Sequence, residues 1–146
     1  MILRKMIADD IPQLAKLYEQ FWDEESCVET MCEKFNQFRE NGSHILLCAV
    51  ENDQLIGSIM GVICGELYGD CKPFIVLENM IVNIRYRNQG VGKALIYELE
   101  KIAADKNCTQ IILVTEANRT DACEFYQSVG YNPDSHKGYK KKLKYS

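Results

Sequence analysis

Residues 77–96 read LENMIVNIRYRNQGVGKALI, and the parsing of this stretch decides the fold. Its first half completes FIVLENMIV, residues 74–82, a nearly continuous apolar run suited to a buried central strand. Its second half opens a helix, because Val91, Leu95, Leu99 and Ile102 recur at helical spacing as far as Lys106. Between the two lie Gly90 and Gly92, one residue apart, with Arg85, Arg87 and Lys93 around them. A buried strand that turns through glycines straight into a helix is a building unit of an α/β domain.

Working outward, residues 2–6 read as a short strand. Asp9 or Asp10 is placed to cap a helix over roughly 10–22, with Ile11, Leu14, Leu17, Tyr18 and Phe21 on one stripe. A second helix covers about 27–40 and stops before Asn41-Gly42. HILLCAVE, then NDQ, then LIGSIMGVICGEL reads as a hairpin of two strands, followed by a loop with Gly69, Asp70 and Pro73. After the glycines and their helix, QIILVT is a further buried strand, and RTDACEFYQSVG a helix that stops at Gly130. Tyr131 to Pro133 and Gly138 to Tyr145 finish as strands. No repeat, low-complexity segment or linker interrupts the chain, so one α/β domain with a mixed sheet is expected over residues 1–146.

Composition narrows the function classes. A hydrophobic fraction of 47% and a charged fraction of 26% are those of a soluble globular protein. A formal net charge of -4 argues against a dedicated nucleic-acid binder. No run approaches the ~18 apolar residues that span a bilayer, and MILRKMIADD turns acidic too early for a signal peptide. The seven cysteines are odd in number and none stands in a C-x-x-C pair, so neither a disulfide framework nor a zinc or other metal site is indicated. Several lie in apolar runs, as small hydrophobes, which suits a reducing cytoplasm. The basic end HKGYKKKLKYS is open to reading as a phosphate-binding patch, but Tyr139, Lys141, Leu143 and Tyr145 alternate with lysines, which favours an edge strand with a solvated face.

The glycine turn fails two nucleotide motifs. A Walker A loop would need Gly where Arg87 stands and Ser or Thr where Ala94 stands; a dinucleotide fingerprint would need Gly where Leu95 stands. What survives is general physics: glycines let amides approach a ligand, and a helix start offers free N–H donors and a positive dipole end. A phosphate or pyrophosphate fits that description, and so does a tight turn with solvated cations. In FIVLENMIV, strict alternation puts Phe74, Val76, Glu78, Met80 and Val82 on one face, so Glu78 interrupts an apolar row. A carboxylate there is a candidate general base, or else a group paired with a cation or set at a wet strand end. In ANRTDACEFYQSVGY, Phe125 is placed to pack on the core while Tyr126 points into a cleft as a proton donor to a thiolate, or is an ordinary core tyrosine.

Taken together in this order and spacing, the stretches resemble the GNAT superfamily of N-acetyltransferases over nearly the whole chain. LENMIVNIRYRNQGVGKALI is similar to the family's acetyl-CoA motif, with Arg87-x-x-Gly90-x-Gly92 as its signature, and NRTDACEFYQSVGY to its second motif. The resemblance implies a GNAT-like mixed, mostly antiparallel sheet of about seven strands, splayed centrally and flanked by about four helices. It implies that the amides of Arg87, Asn88, Gln89, Gly90, Val91, Gly92 and Lys93 cradle the pyrophosphate of coenzyme A. Ile81 and Val82 would pair with the pantetheine arm as an added strand, an amide near Met80 would hold the oxyanion, and Asn118 and Phe125 would contact the cofactor. Transfer would be direct, with Glu78 as general base, through a water, and Tyr126 as general acid. The acceptor would be a primary amine, of a cationic small molecule or a protein, met by the segments YEQFWDEES and YGDCKP; Glu19, Asp23, Glu24 and Glu25 lie there to attract it, or form a solvated helix end. Trp22 would wall that pocket or cover the core edge. Homodimers are common in the family. A non-catalytic acyl-CoA-binding or sensing module on the same fold is the alternative, and a mononucleotide-binding domain a third reading.

Overall fold

The computed structural model describes residues 1–144. The chain forms two compact units, residues 1–112 and residues from 113 onward. The first contains β1 (Ile2–Lys5), α1 (Ile11–Glu19), α2 (Val28–Asn41), β2 (His44–Glu51), β3 (Gln54–Cys64), β4 (Phe74–Val82), α3 (Val91–Asp105) and β5 (Ile111–Ile112). The strands make one sheet in the order β1-β2-β3-β4-β5; β1 to β4 are antiparallel, and β5 joins β4 in parallel after the α3 crossover. Parallel neighbours need such a crossover, and the helix in the glycine stretch supplies it.

α1 and α2 cover one face of the sheet. Leu14, Leu17 and Phe35 from the helices meet Cys48, Leu55 and Ile81 from the strands in a buried cluster. The other face lies under α3, whose Val91, Leu95 and Leu99 are buried. That helix sits close because β3 presents Gly57 and Gly61 beneath it. A β-carbon on Gly57 would stand 2.9 Å from Val91 Cγ1, and one on Gly61 2.8 Å from Leu99 Cδ1. Full burial of each such aliphatic side chain contributes about 1.5–3 kcal/mol.

The strand β4 departs from strict alternation. Ser58 pairs with Ile81 and Met60 with Glu78, so one residue of β3 faces two of β4, Asn79 and Met80. Asn79 takes the left-handed conformation, at φ +50, which Asn tolerates better than most side chains. The result is a β-bulge. Glu78 keeps the α1–α2 face through its partner Met60, whereas Val82 pairs with Gly57 and faces α3. The expected single row from Phe74 through Val82 is therefore broken at Asn79. The register to β5 is short: only Ile75 with Ile111 and Val76 with Ile112. Among the described residues, no strand pairs with the β4 edge from Leu77 to Val82, so the sheet is open there.

Of the two expected capping residues, Asp9 and Asp10, it is Asp10 that stands at the N-cap of α1, but its side chain makes no cap hydrogen bond to that helix and has a further task. It is buried, and its carboxylate accepts two hydrogen bonds from Arg4, at 2.7 and 2.8 Å, and one from the Ile7 amide at 2.8 Å. It thus ties β1 to the turn before α1, and α1 starts instead with Pro12 in its first turn. Burial works to raise the Asp10 carboxyl, but the Arg4 hydrogen bonds and charge and the Ile7 amide outweigh it and hold it below the usual carboxylate range.

The second unit contains α4 (Thr120–Ser128), which ends toward Gly130 at φ +100. No strand forms among its described residues, so the sheet has five strands and not about seven. Residues 131–133 and 138–144 fall outside the sheet; Tyr145 lies outside the described residues. Alternation alone does not make a strand, which needs a neighbour's N–H and C=O groups. Tyr139 and Leu143 are 91% and 68% exposed, so the periodic face at the chain end covers no core.

Candidate active site

From the end of β4 the chain folds into a short turn of helix at Ile84–Tyr86, started by the Asn83 side chain, which accepts from the Arg85 amide at 3.0 Å. Gln89 Nε2 then donates to the Arg85 carbonyl at 3.2 Å. Asn88 and Gly90 are both left-handed, at φ +61 and +86, and Gly90 is the N-cap of α3. The first acceptor of α3 is the Gly90 carbonyl, taken by Ala94 at 3.0 Å. Helix geometry therefore leaves over the amides of Val91, Gly92 and Lys93, at the positive end of the helix dipole. Nothing lies within 4 Å of where a side chain on Gly90 would begin, so the turn is open. Asn88, Gln89, Gly90 and Lys93 are exposed; Val91 and Gly92 are buried. The two cations of the motif rest on rings: the Arg87 guanidinium lies 4.6 Å from the Phe21 ring centroid, and Lys93 Nζ 5.6 Å from that of Tyr97.

Along β4, Ile81 is buried in the α1–α2 core, while Met80 and Val82 are half-buried beside the open edge. Glu78 is exposed. The apolar row expected around it does not enclose it, because the bulge ends the row at its neighbour.

An open cleft of about 570 Å³ lies between α1, α2 and the sheet. Leu14, Leu46 and Met60 supply its floor, and Tyr18, Trp22, Phe35 and Phe38 its aromatic walls. Glu24 and Glu25 line it too, whereas Glu19 and Asp23 do not. Trp22 is 46% exposed and meets Tyr18 edge to face at 5.2 Å, so it walls the cleft and covers the core edge at once. Burial, with a smaller contribution from Cys48, pushes the Tyr18 phenol up to about 12, so it is neutral at ordinary pH. Asn79 reaches the same cleft, joining the bulge to it.

Sequence reasoning missed one connection. Gln20 Oε1, at the end of α1, accepts from the Ile84 amide at 3.0 Å and so fastens α1 to the glycine turn across 64 positions. No local pattern signals such a pair.

In the second unit, Asn118 is exposed ahead of α4, and Phe125 and Tyr126 are both half-buried. Their rings meet edge to face at 5.4 Å, and Tyr126 meets Tyr131 likewise at 6.1 Å. Phe125, Tyr126 and Tyr131 thus form an aromatic row at the end of α4.

The chain belongs to the acetyltransferase (GNAT) family, which it matches over residues 11–131. It is similar to the uncharacterised protein YdhI of Bacillus subtilis (strain 168), with 36% identity over 81 residues, 56% of this chain and 45% of that protein, so it spans less than half of that relative's length. It is similar to glucosamine 6-phosphate N-acetyltransferase 1 of Dictyostelium discoideum, with 29% identity over 125 residues, 79% of this chain and 76% of that protein. In fold it resembles the crystal structure of an acetyltransferase of Trypanosoma brucei, with TM-score 0.82 at 20% identity, covering 97% of this chain and 99% of the other. The family takes its acetyl group from acetyl-CoA, and the open Gly90 turn, the leftover amides and the unpaired β4 edge fit that molecule's diphosphate and extended arm. Among the described residues, no group of three His, Cys, Asp or Glu is placed to hold a metal ion, and no helix is long and apolar enough to cross a membrane.

Proposed function

We propose that the chain is an N-acetyltransferase that moves an acetyl group directly from coenzyme A to a primary amine of a small molecule or protein. The observation that carries this reading is the bulge at Asn79. It lies at an open strand edge, between a carboxylate and the glycine turn, and Asn79 itself lines the cleft.

Acetyl-CoA supplies an acetyl group activated as a thioester. The amides from Arg87 to Lys93 hold its diphosphate, and the backbone of Ile81 and Val82 aligns its arm along the free β4 edge. Asn118 and Phe125 are assigned to the same molecule by the family resemblance. Glu78 takes one proton from the acceptor ammonium, through a water. The Met80 amide faces the negative charge that gathers on the carbonyl oxygen. A C–N bond forms as the C–S bond breaks; the nitrogen gives up a second proton, and the Tyr126 hydroxyl returns one to the sulfur. One proton leaves to solvent, so the products are amide, free thiol and one proton. Holding both reactants in one place supplies much of the rate.

The family match runs from residue 11 to 131, through both compact units, which supports a single catalytic domain over residues 1–146. Seven free thiols support a reducing cytoplasm. A homodimer rests on the resemblance alone. The test is thiol release from acetyl-CoA with a panel of primary amines, for the wild type and Glu78→Gln. Turnover that falls steeply in the variant supports the reading. Coenzyme A binding without turnover on any amine would instead indicate a sensing module, and binding of ATP or NAD in its place a nucleotide-binding domain.

A further inference from the structure

We infer that the acceptor is an amphipathic amine, a primary ammonium on an alkyl or aromatic body, and not a sugar phosphate or a polyhydroxylated amine. This deepens the transfer reading above and rests on it for the fate of the amine. The cleft of about 570 Å³ has the size of a small-molecule site. Its floor offers methyl, methylene and thioether groups from Leu14, Leu46 and Met60, of which only the thioether is even a weak acceptor. The ring hydroxyls of a sugar would find partners only among the fewer polar lining residues, such as Thr30 and Asn79. Its walls are aromatic, and the Tyr18–Trp22 corner, at 5.2 Å and 74°, presents ring surface against which a flat or extended apolar body packs.

Charge selects the head group. Glu24 and Glu25 line the cleft against a single lining cation, Lys34, whose Nζ already donates to Gln37 Oε1 at 3.0 Å. A phosphate dianion would meet a net negative wall with one engaged cation; an ammonium is attracted. The floor then leads to the chemistry, because Met60 lies opposite Glu78 in the sheet and Asn79 lines the same cleft. The step is the one written above: the ammonium gives up two protons, one reaching the sulfur and one the solvent, as C–N replaces C–S.

Trp22 is the only tryptophan in the chain, so its fluorescence reports occupancy of the cleft without any need for turnover. The full chain is titrated with 2-phenylethylamine, a series from ethylamine to hexylamine, 3-phenylpropionate and glucosamine 6-phosphate, and acetyl transfer is measured with the same amines. Saturable binding of 2-phenylethylamine is expected at least about tenfold tighter than that of ethylamine or 3-phenylpropionate. Each added methylene should tighten binding by up to about fourfold, and the Glu24→Gln, Glu25→Gln double variant should weaken every amine by about threefold or more while leaving acetyl-CoA affinity unchanged. Glucosamine 6-phosphate binding or turnover equal to that of 2-phenylethylamine overturns the inference, as does a flat alkyl series or 3-phenylpropionate binding as well as its amine counterpart. Tight 2-phenylethylamine binding without acetyl transfer sustains it and overturns the transfer reading instead. Turnover confined to glucosamine 6-phosphate does the reverse.

Discussion

Arg87 and Phe21 touch through charge and ring, the guanidinium carbon 4.6 Å from the aromatic centroid. Beside them Gln20 accepts the Ile84 amide at 3.0 Å. The segment just past α1, which includes the cleft residue Trp22, is thus fixed to the turn that opens α3. The proposed donor and acceptor regions share one short segment, residues 20–22. Replacing Phe21 by Leu keeps an apolar contact with the core and removes the ring from under Arg87. An exposed cation–π contact is worth about 0.5–1 kcal/mol, so the Kd for acetyl-CoA should rise roughly two- to fivefold in a calorimetric titration. An unchanged Kd would show that the position of Arg87 does not depend on the ring.

Gly90 separates backbone strain from ligand repulsion. At φ +86, Ala is strained by about 1 kcal/mol, and nothing else obstructs its methyl group. Gly90→Ala should lower the unfolding free energy by about that amount. Gly90→Glu adds a carboxylate at the mouth of the helix and should weaken acetyl-CoA binding by well over about tenfold, measured by equilibrium titration. Equal affinity in the Glu variant would take the turn out of the donor site.

Glu78 and Tyr126 are tested by the split between rate and affinity. Removal of a positioned acid or base lowers rate by about 10²–10⁴-fold. For Glu78→Gln that loss is expected in kcat at pH 7, with acetyl-CoA affinity kept. The defect should narrow as the pH approaches the acceptor's own pKa, where the amine arrives without its extra proton. A defect independent of pH would deny Glu78 the role of base. Tyr126→Phe should lower kcat and leave the KM for acetyl-CoA little changed; equal kcat would make Tyr126 a packing residue of its aromatic row.

The Arg4–Asp10 pair makes stability depend on pH. The folded Asp10 pKa is depressed, so the ionised carboxylate's stabilisation is complete above the unfolded value of about 3.9 and is lost as the pH falls through the lower folded value. Asp10→Asn gives up the charge and one of the bonds that hold the junction, and should be less stable at pH 7 by about 1–2 kcal/mol. Below about pH 4 the two proteins should converge. Urea unfolding between pH 3 and 7 checks this, and parallel curves would assign the depression to some other group.

Much of the architecture was legible because it is local. The stripe of α1, the stop at Gly42, the β4 run and the spacing of Val91, Leu95 and Leu99 each announce their element within one segment. The glycine turn was read for the same reason, since Gly90 caps a helix that its own neighbours build. What escaped depends on partners far away in sequence. The bulge is visible only once β3 sets the register for Asn79. Gly57 and Gly61 look like weak points of a strand until α3 lies on them. The alternation at Tyr139 to Leu143 is regular, yet both of those side chains stand exposed and that face builds no core. Arg87, assigned to an anion by its charge, proved also to have a ring beneath it.

The sheet itself has no use for Asn79. Were that residue excised, Met80 would fall opposite Ile59, and the pairs of Glu78 with Met60 and Ile81 with Ser58 would stand as they are. Strand pairing would become more regular, since an irregular left-handed position would vanish. Strand pairing does not require this surplus residue, and a shortened chain lacking it offers a scaffold in which architecture and reactivity can be studied apart.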